Sequence, residues 1–452
     1  MNQRPIIIVG GGLSGSLLAI LLAKRGFDVH VYERRPDMRV ADIGGGRSIN
    51  LALSARGIHA LKQVGLDQAV LAGAVAMKGR MAHDPAGNTT FQPYGKNEYE
   101  YINSISRSGL NVILMNEAEK YPNVRFHFSQ RCTGMDWQTG EVTFVDEKMQ
   151  HTYTVTGATV IGTDGSASAI RQSLSSITDF QYEYAPLGHG YKELTIFPDD
   201  NNRFKMDGQS LHIWPRKSFM LIALPNLDQT FTCTLFYPET GAESFEQLTT
   251  PDAVNTFFQT HFPDTISLIP DLAQQFLTNP LGHLGTVKCY PWTHGGKALL
   301  VGDAAHAVVP FYGQGMNCSF EDCIALDQCI QRFGQDWGKV FSEYQNIRKA
   351  NTDAIADMAL ENFIEMRDHT SNPVFVRKRQ VELQLETMFP HRFISKYGMV
   401  TFRHDIPYAL AKTKGNLQDE FLMNMCSEED QIRNLTLDQL MAELEAYVTA
   451  QL

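Results

Sequence analysis

At 452 residues the chain is longer than one hydrophobic core usually serves, so two or three packed sub-domains are expected. Its 43% apolar and 20% charged residues exclude a disordered protein. A net charge of −11, spread without long acidic blocks, argues against nucleic acid as a partner, because phosphate binding needs a basic surface.

Cysteines at 132, 233, 289, 318, 323, 329 and 426 form no C-x-x-C pair and are odd in number. That argues against a disulfide framework or a zinc site and fits a reducing compartment. The first residues lack the design of a signal peptide, and nothing reaches the ~18 consecutive apolar residues that span a bilayer. The expectation is a cytoplasmic protein with no bound metal and no membrane span.

The N-terminal run Ile6-Ile7-Ile8-Val9 leads into Gly10-Gly11-Gly12-Leu13-Ser14-Gly15, and Glu33 ends a second apolar run from Asp28. This reads as strand, glycine turn, helix and strand, an arrangement that holds a dinucleotide's pyrophosphate on N–H groups at a helix N-terminus. Gly10 permits the tight turn, Gly12 lets the backbone approach the phosphates, and Gly15 allows close helix–strand packing. Leu13, Leu17 and Leu21 mark the helix by their four-residue spacing. Glu33 accepts hydrogen bonds from a ribose, and Leu13, Ser14 and Arg34 complete the nucleotide contacts. Alone, the pattern also suits an ordinary βα turn with Glu33 at the surface.

A loop-and-helix segment containing Gly44-Gly45-Gly46-Arg47-Ser48-Ile49-Asn50 follows. Residues 76–100 read as a hairpin, Lys78 to His83 and Thr89 to Tyr94, joined at Asp84-Pro85-Ala86-Gly87. A helix over 107–120 precedes short strands over 124–163. Residues 186–240 are strand-rich, with Ser210–Trp214, Phe219–Leu224 and Phe231–Phe236 separated by polar turns, as in an antiparallel sheet. A strand at Ala298–Val301 precedes a helix near 316–331. From 341 onward the chain reads as helical, broken near Pro373, Pro390 and Pro407, with an amphipathic last segment docked on the body. The fold class is therefore α/β. A Rossmann-like nucleotide-binding domain (1–75, 101–175 and 280–340) is interrupted by an antiparallel-sheet domain (76–100 and 176–279). A C-terminal helical region (341–452) follows.

Two further elements turn a nucleotide site into a flavin site. Val160-Ile161-Gly162-Thr163-Asp164-Gly165 ends a strand in Asp-Gly. Ala298 to Val301 ends in Gly302-Asp303, followed by Gly313-Gln314-Gly315-Met316-Asn317 at a helix start. Asp303 accepts from the ribityl hydroxyls of FAD, and the helix near Gly315 aims its positive end at the flavin edge where charge gathers on reduction. Taken singly, either aspartate equally suits a turn or a helix cap.

These three elements in this order resemble the aromatic-hydroxylase family of single-component flavoprotein monooxygenases. A second Gly-x-Gly-x-x-Gly is absent, unlike reductases with two dinucleotide domains. The resemblance implies bound FAD, NADPH as a transient co-substrate, O2, and oxygen transfer from the flavin C4a to an aromatic ring, with Asp164-Gly165 serving both FAD and NADPH. Segments such as Gly46–Ser54, Pro93–Gly95, Ser104–Arg107, Leu211–Arg216, Gly313–Asn317, Phe363–Arg367 and Met399–Phe402 are similar to a member that hydroxylates L-kynurenine at C3. That similarity implies a carboxylate clamp from Arg80 and Tyr94, on facing strands of the hairpin, with Asn362 and Tyr397 as the remaining substrate contacts. Arg107 matches a flavin-contacting arginine. Cys132, Met316 and Asn317 match positions whose backbone lies near the flavin, so their side-chain identity says little.

No side chain is nominated as catalytic, because the aniline nitrogen of such a substrate already activates its ortho carbon. Taken without the resemblance, Arg80 suits a surface ion pair, Arg107 a helix-start charge, and Asn362 and Tyr397 ordinary packing. A hydroxylase of another small aromatic acid remains the alternative, as does a flavin-binding protein without turnover. A halogenase's Trp-x-Trp-x-Ile-Pro is not met at Trp214-Pro215. Glu98-Tyr99-Glu100-Tyr101 departs from the family by a slightly longer loop. The polar C-terminal segment departs from the membrane-anchoring extension of eukaryotic relatives.

Overall fold

The computed structural model describes residues 4–40, 50–177, 179–365, 373–427 and 435–452. The Gly44–Ile49 stretch and the end of the Phe363–Arg367 segment lie outside them. The chain divides into two compact units. The first comprises Met1–Gly73, Ile105–Ala185 and Gly285–Ala356; the second comprises Ala74–Ser104, Pro186–Leu284 and Asp357–Leu452.

In the first unit, the central strands of a mostly parallel sheet, Ile6–Val9, Thr159–Gly162 and Ala298–Leu300, are short and buried throughout, while the edge strands are only partly covered. The strand order is Thr293–His294, Ala298–Leu300, Thr159–Gly162, Ile6–Val9, Val29–Glu33 and Val124–Phe128. All neighbours are parallel except the first pair, and Ile6 lies opposite both Thr159 and Val29. The Leu13–Lys24 helix buries every residue from Gly15 to Ala23, not only a leucine stripe. A helix apolar all round has no solvent face to spare, and this one packs against the Arg107–Ala118 and Gly315–Phe333 helices. A small antiparallel sheet, Gln130–Met135, Glu141–Asp146 and His151–Thr156, places Phe144 against the Tyr32 ring at 4.2 Å.

In the second unit, strands lie in the order Gln181–Ile196, Phe231–Pro238, Phe219–Pro225, Ser210–Arg216, Gly79–His83 and Thr89–Pro93. Adjacent strands are antiparallel except Ser210–Arg216 beside Gly79–His83, where Leu211 faces Arg80. One face buries Trp214, Phe219, Phe231, Phe258, Phe262 and Phe276. Part of that cover comes from helices Pro251–His261 and Leu272–Thr278, which the sequence reading left without elements. The same unit holds the later helices. Pro373 opens one of them and Pro407 immediately precedes another, where a missing N–H costs nothing. The terminal Leu437–Gln451 helix starts with a Thr436/Gln439 capping box and buries Leu440, Met441 and Leu444 against Val381, Leu385 and Leu422. Among the described residues no helix is long and apolar enough to cross a membrane.

Candidate functional site

The glycine turn is built as a cradle. Gly10 has φ +102°, and a Cβ there would lie 2.6 Å from the Thr163 carbonyl oxygen. At Gly15 a Cβ would meet Thr163 Oγ1 at 2.7 Å and the Gly10 carbonyl closer still, so this helix start cannot approach its strand with any side chain present. A Cβ on Gly12 would meet nothing within 4 Å, and no side chain caps the helix that follows. Leu13 and Ser14 open that helix half-buried. Glu33, only 8% exposed, accepts from the Gly11 N–H (2.8 Å) and from the Arg35 backbone and Nε (2.9 and 2.8 Å). Burial acts to raise its pKa, but the Arg35 guanidinium and these N–H donors hold it below the ordinary glutamate value. Arg34 is exposed beside it.

The other flavin candidates gather in the same unit. Asp303 opens the short Asp303–His306 helix, and its carboxylate takes no hydrogen bond from the described residues. Gly315 and Met316 begin the Gly315–Phe333 helix, again without a side-chain cap. Arg107 is the exposed first residue of its helix, and Ser106 caps that helix. Cys132 lies on a strand, its thiol pushed up to about 12 by burial and by the Asp164 carboxylate.

Two candidates behave differently from expectation. Asp164 is spent largely on its own chain. It accepts from Ser168 Oγ (2.5 Å) and the Ala169 N–H (2.7 Å), the turn-and-cap chemistry that its position also allowed. Burial raises its pKa. Asn317 is fully buried, and its amide accepts from the Ser54 N–H (3.0 Å) and donates to Ala52 (2.8 Å) and Gly313 (2.9 Å). Its side-chain identity therefore matters, as a staple between the strand at Asn50–Leu53 and the helix start.

Unforeseen from sequence is a buried ladder of alternating charge in this unit. Arg56 meets Glu321 at 2.6 Å, Arg348 meets Glu321 at 3.1 Å and Asp322 at 2.6 Å, and His306 Nε2 meets Asp322 at 2.6 Å. Burial acts to raise the Asp322 pKa, but His306 and Arg348 hold it below the ordinary value. His306, Cys318 and Asp322 bring ligand atoms within 4.8 Å of one another. Arg348 already occupies that space, donating to both Asp322 Oδ1 and Cys318 Sγ (2.6 and 3.3 Å), so a further cation is repelled. The adjacent acids Glu321-Asp322 on an otherwise apolar helix face were the available signal.

An open glycine before an uncapped helix, a carboxylate pinned to the turn, Asp303 without a partner among the described residues and a second uncapped helix form a donor and acceptor set that fits FAD.

In the second unit the hairpin forms as expected, with Arg80 opposite Gln92 and Tyr94 just past the paired strand. Tyr94 is 4% exposed, and its ring stacks on Tyr397 at 5.8 Å and 10°. The Arg80 guanidinium lies 5.6 Å from the Tyr94 ring and 5.1 Å from that of Tyr397, while its buried Nε makes no hydrogen bond to the described residues. Burial opposes the Arg80 charge, but the two phenols and Glu365 hold its pKa above the usual value. Burial likewise pushes both phenols up, so they remain donors. Asn362 is buried near the end of the Trp337–Ile364 helix. Glu365, and Arg379 paired to Glu382 at 2.9 Å, complete the charged surroundings, and the sequence reading named neither as a site residue.

Behind the same strand lies a second network that sequence did not signal. Trp214 Nε1 donates to Asp264 (2.7 Å), whose same oxygen meets His83 Nδ1 (2.9 Å). His83 Nε2 meets His212 Nδ1 (2.9 Å), and His212 Nε2 meets the Asp207 carbonyl (2.9 Å). A carbonyl only accepts, so His212 donates from Nε2, and its Nδ1 accepts a hydrogen bond from His83 Nε2.

A family model for the FAD binding domain matches residues 3–359. A kynurenine 3-monooxygenase of Myxococcus xanthus is 51% identical over 92% of this chain and 90% of its own length. The Dictyostelium discoideum enzyme of that name is 43% identical over 98% of this chain and 97% of its own. Among solved structures, the tetrameric form of 2-methyl-3-hydroxypyridine-5-carboxylic acid oxygenase superposes with a TM-score of 0.67 at 19% identity. That superposition covers 82% of this chain and 95% of the other, a likeness of fold alone. By identity over nearly its full length, the chain belongs to the kynurenine 3-monooxygenase family of FAD-binding proteins.

Proposed function

We propose that this protein is a flavoprotein monooxygenase that converts L-kynurenine to 3-hydroxy-L-kynurenine, consuming NADPH and O2, a step of tryptophan degradation. The observation that carries the reading is the 51% identity to a kynurenine 3-monooxygenase over 92% of the chain. Bound FAD supplies the redox chemistry and the activation of oxygen.

The remaining work falls to side chains. In the first unit, the Leu13 and Ser14 N–H groups take the pyrophosphate, Glu33 and Arg34 the adenosine end, Asp303 the ribityl hydroxyls, and Arg107, Cys132 and the Gly315–Asn317 backbone the flavin. In the second, the Arg80 fork pairs the substrate carboxylate bidentately, its Nε having no partner among the described residues. Tyr94 and Tyr397 lie beside the guanidinium, 5.6 and 5.1 Å from their ring centres, and add hydroxyl donors, and Asn362 contributes a buried amide to the amino-acid head. The aniline nitrogen of the substrate activates its own ring, so no side-chain base is required.

The test is mass spectrometry of the product formed by purified, FAD-loaded protein with NADPH, kynurenine and isotopically labelled O2. One labelled oxygen atom on the ring is the expected result. Turnover of other aromatic acids with kynurenine untouched would transfer the activity to another substrate, and FAD retention with no turnover would remove it.

A further inference from the structure

We propose that Asp322, one turn beyond Asn317 on the Gly315–Phe333 helix, is the positioning residue that sets the Gly302–His306 turn and thereby the aim of Asp303 at the cofactor. Its Oδ2 accepts from both ends of that turn, from the Gly302 N–H at 3.2 Å and from His306 Nε2 at 2.6 Å. A carboxylate can only accept here, so His306 donates from Nε2. Asp303 lies between the two anchored ends, its own carboxylate taking no hydrogen bond from the described residues. Gly302 itself sits at φ +63°, ψ −142°, a conformation with little intrinsic preference to hold it. A one-point anchor would let this turn swivel; a shared oxygen at both ends does not.

The anchor is itself fixed. Arg348 Nε holds the other Asp322 oxygen at 2.6 Å, and the Arg348 guanidinium continues to Glu321 at 3.1 Å and through it to Arg56. Asp322 is 0% exposed and Arg348 6%, so water does not compete for these bonds. From the opposite side, Arg171 Nη1 donates to the Ala304 carbonyl at 2.8 Å, fastening the middle of the same turn. An amide at position 322 breaks the pattern. It has one acceptor oxygen where three donors converge, and its NH2 must then face an N–H of Arg348, Gly302 or His306.

The inference rests on the FAD reading of the preceding section, and the experiment separates the two. FAD is titrated into deflavinated wild type, Asp322→Asn and Arg348→Lys, following flavin fluorescence and the visible absorption of the bound form; the melting temperature of each apoprotein is measured alongside. Expected are a tenfold or greater weakening of FAD binding in Asp322→Asn and an altered visible band shape of the flavin that remains bound. Arg348→Lys, which keeps the charge but loses the fork, should show a smaller change in the same direction. Wild-type protein that takes up no FAD would overturn the cofactor reading itself. Wild-type uptake with unchanged affinity and band shape in folded Asp322→Asn would overturn only the role given to Asp322. A lowered apoprotein melting temperature with unchanged FAD affinity would do the same, by reducing the residue to a structural one. If Asp322→Asn fails to fold, the Arg348→Lys titration decides, and unchanged affinity there overturns the role.

Discussion

Replacing Arg80 with methionine removes the charge while keeping much of the side-chain volume beside the stacked rings of Tyr94 and Tyr397. The guanidinium lies 5.6 and 5.1 Å from those two rings, and its buried Nε has no partner among the described residues. A bidentate charge-assisted pair with a carboxylate contributes roughly 1.5–3 kcal/mol per hydrogen bond, and a carboxylate buried without its partner costs about 3–5 kcal/mol. A net loss of about 3 kcal/mol in kcat/KM is a reasonable working figure, or roughly a hundredfold at about 1.4 kcal/mol per decade. Because the carboxylate is far from the reacting carbon, most of the loss should fall on KM, as expected of binding shared by ground and transition states. Arg80→Lys should lie between, since a point charge replaces one half of the fork. The assay is kynurenine-dependent NADPH oxidation with product quantified in parallel, together with flavin content, which should not change because the candidate FAD contacts belong to the other unit. A KM within about twofold of wild type in folded, yellow Arg80→Met would refute the clamp.

Two other outcomes follow from particular contacts. Burial lowers the His212 pKa from 6.5 to about 4, so the folded protein resists a proton that the unfolded chain accepts. Stability is therefore full above about pH 6.5 and declines as pH falls towards 4, by about 3 kcal/mol for this group. Thermal melts of wild type and His212→Gln across that range should converge on acidification, and parallel curves would show that His212 carries no such linkage. Gly15→Ala places a methyl group 2.7 Å from Thr163 Oγ1 and still nearer the Gly10 carbonyl, an overpacking worth roughly 1–3 kcal/mol. The expected results are a lower melting temperature and weaker FAD retention by ultrafiltration; a variant that keeps both at wild-type level would contradict the tight contact.

The backbone elements that carry the site were legible because their signals are local. The four-residue strand before Gly10, the turn glycines, the Asp84–Gly87 hairpin turn and the helix starts at Pro373 and after Pro407 all depend on sterics and hydrogen bonds within a few residues. The helix at Pro251–His261 also carried local signals, a Thr250 cap, Pro251 in the first turn and Val254, Phe257 and Phe258 at helical spacing, whereas Leu272–Thr278 is too short to show a period. Asp164 and Asn317 show the next limit. Their positions were readable from motifs, but whether a carboxylate or amide serves a ligand or its own backbone depends on which donors arrive beside it.

Sequence by itself thus determined a dinucleotide turn, an Asp-Gly and a Gly-Asp element, and a hairpin carrying Arg80. The tertiary structure alone decided that Arg80 lies beside the stacked rings of Tyr94 and Tyr397, that Asp264, His83 and His212 form one hydrogen-bonded chain, and that Asp322 anchors the Gly302 turn. The reason is physical: a local pattern constrains torsions over a turn or two, whereas a buried charge acquires its partners only when segments scores to hundreds of residues apart close around it and exclude water.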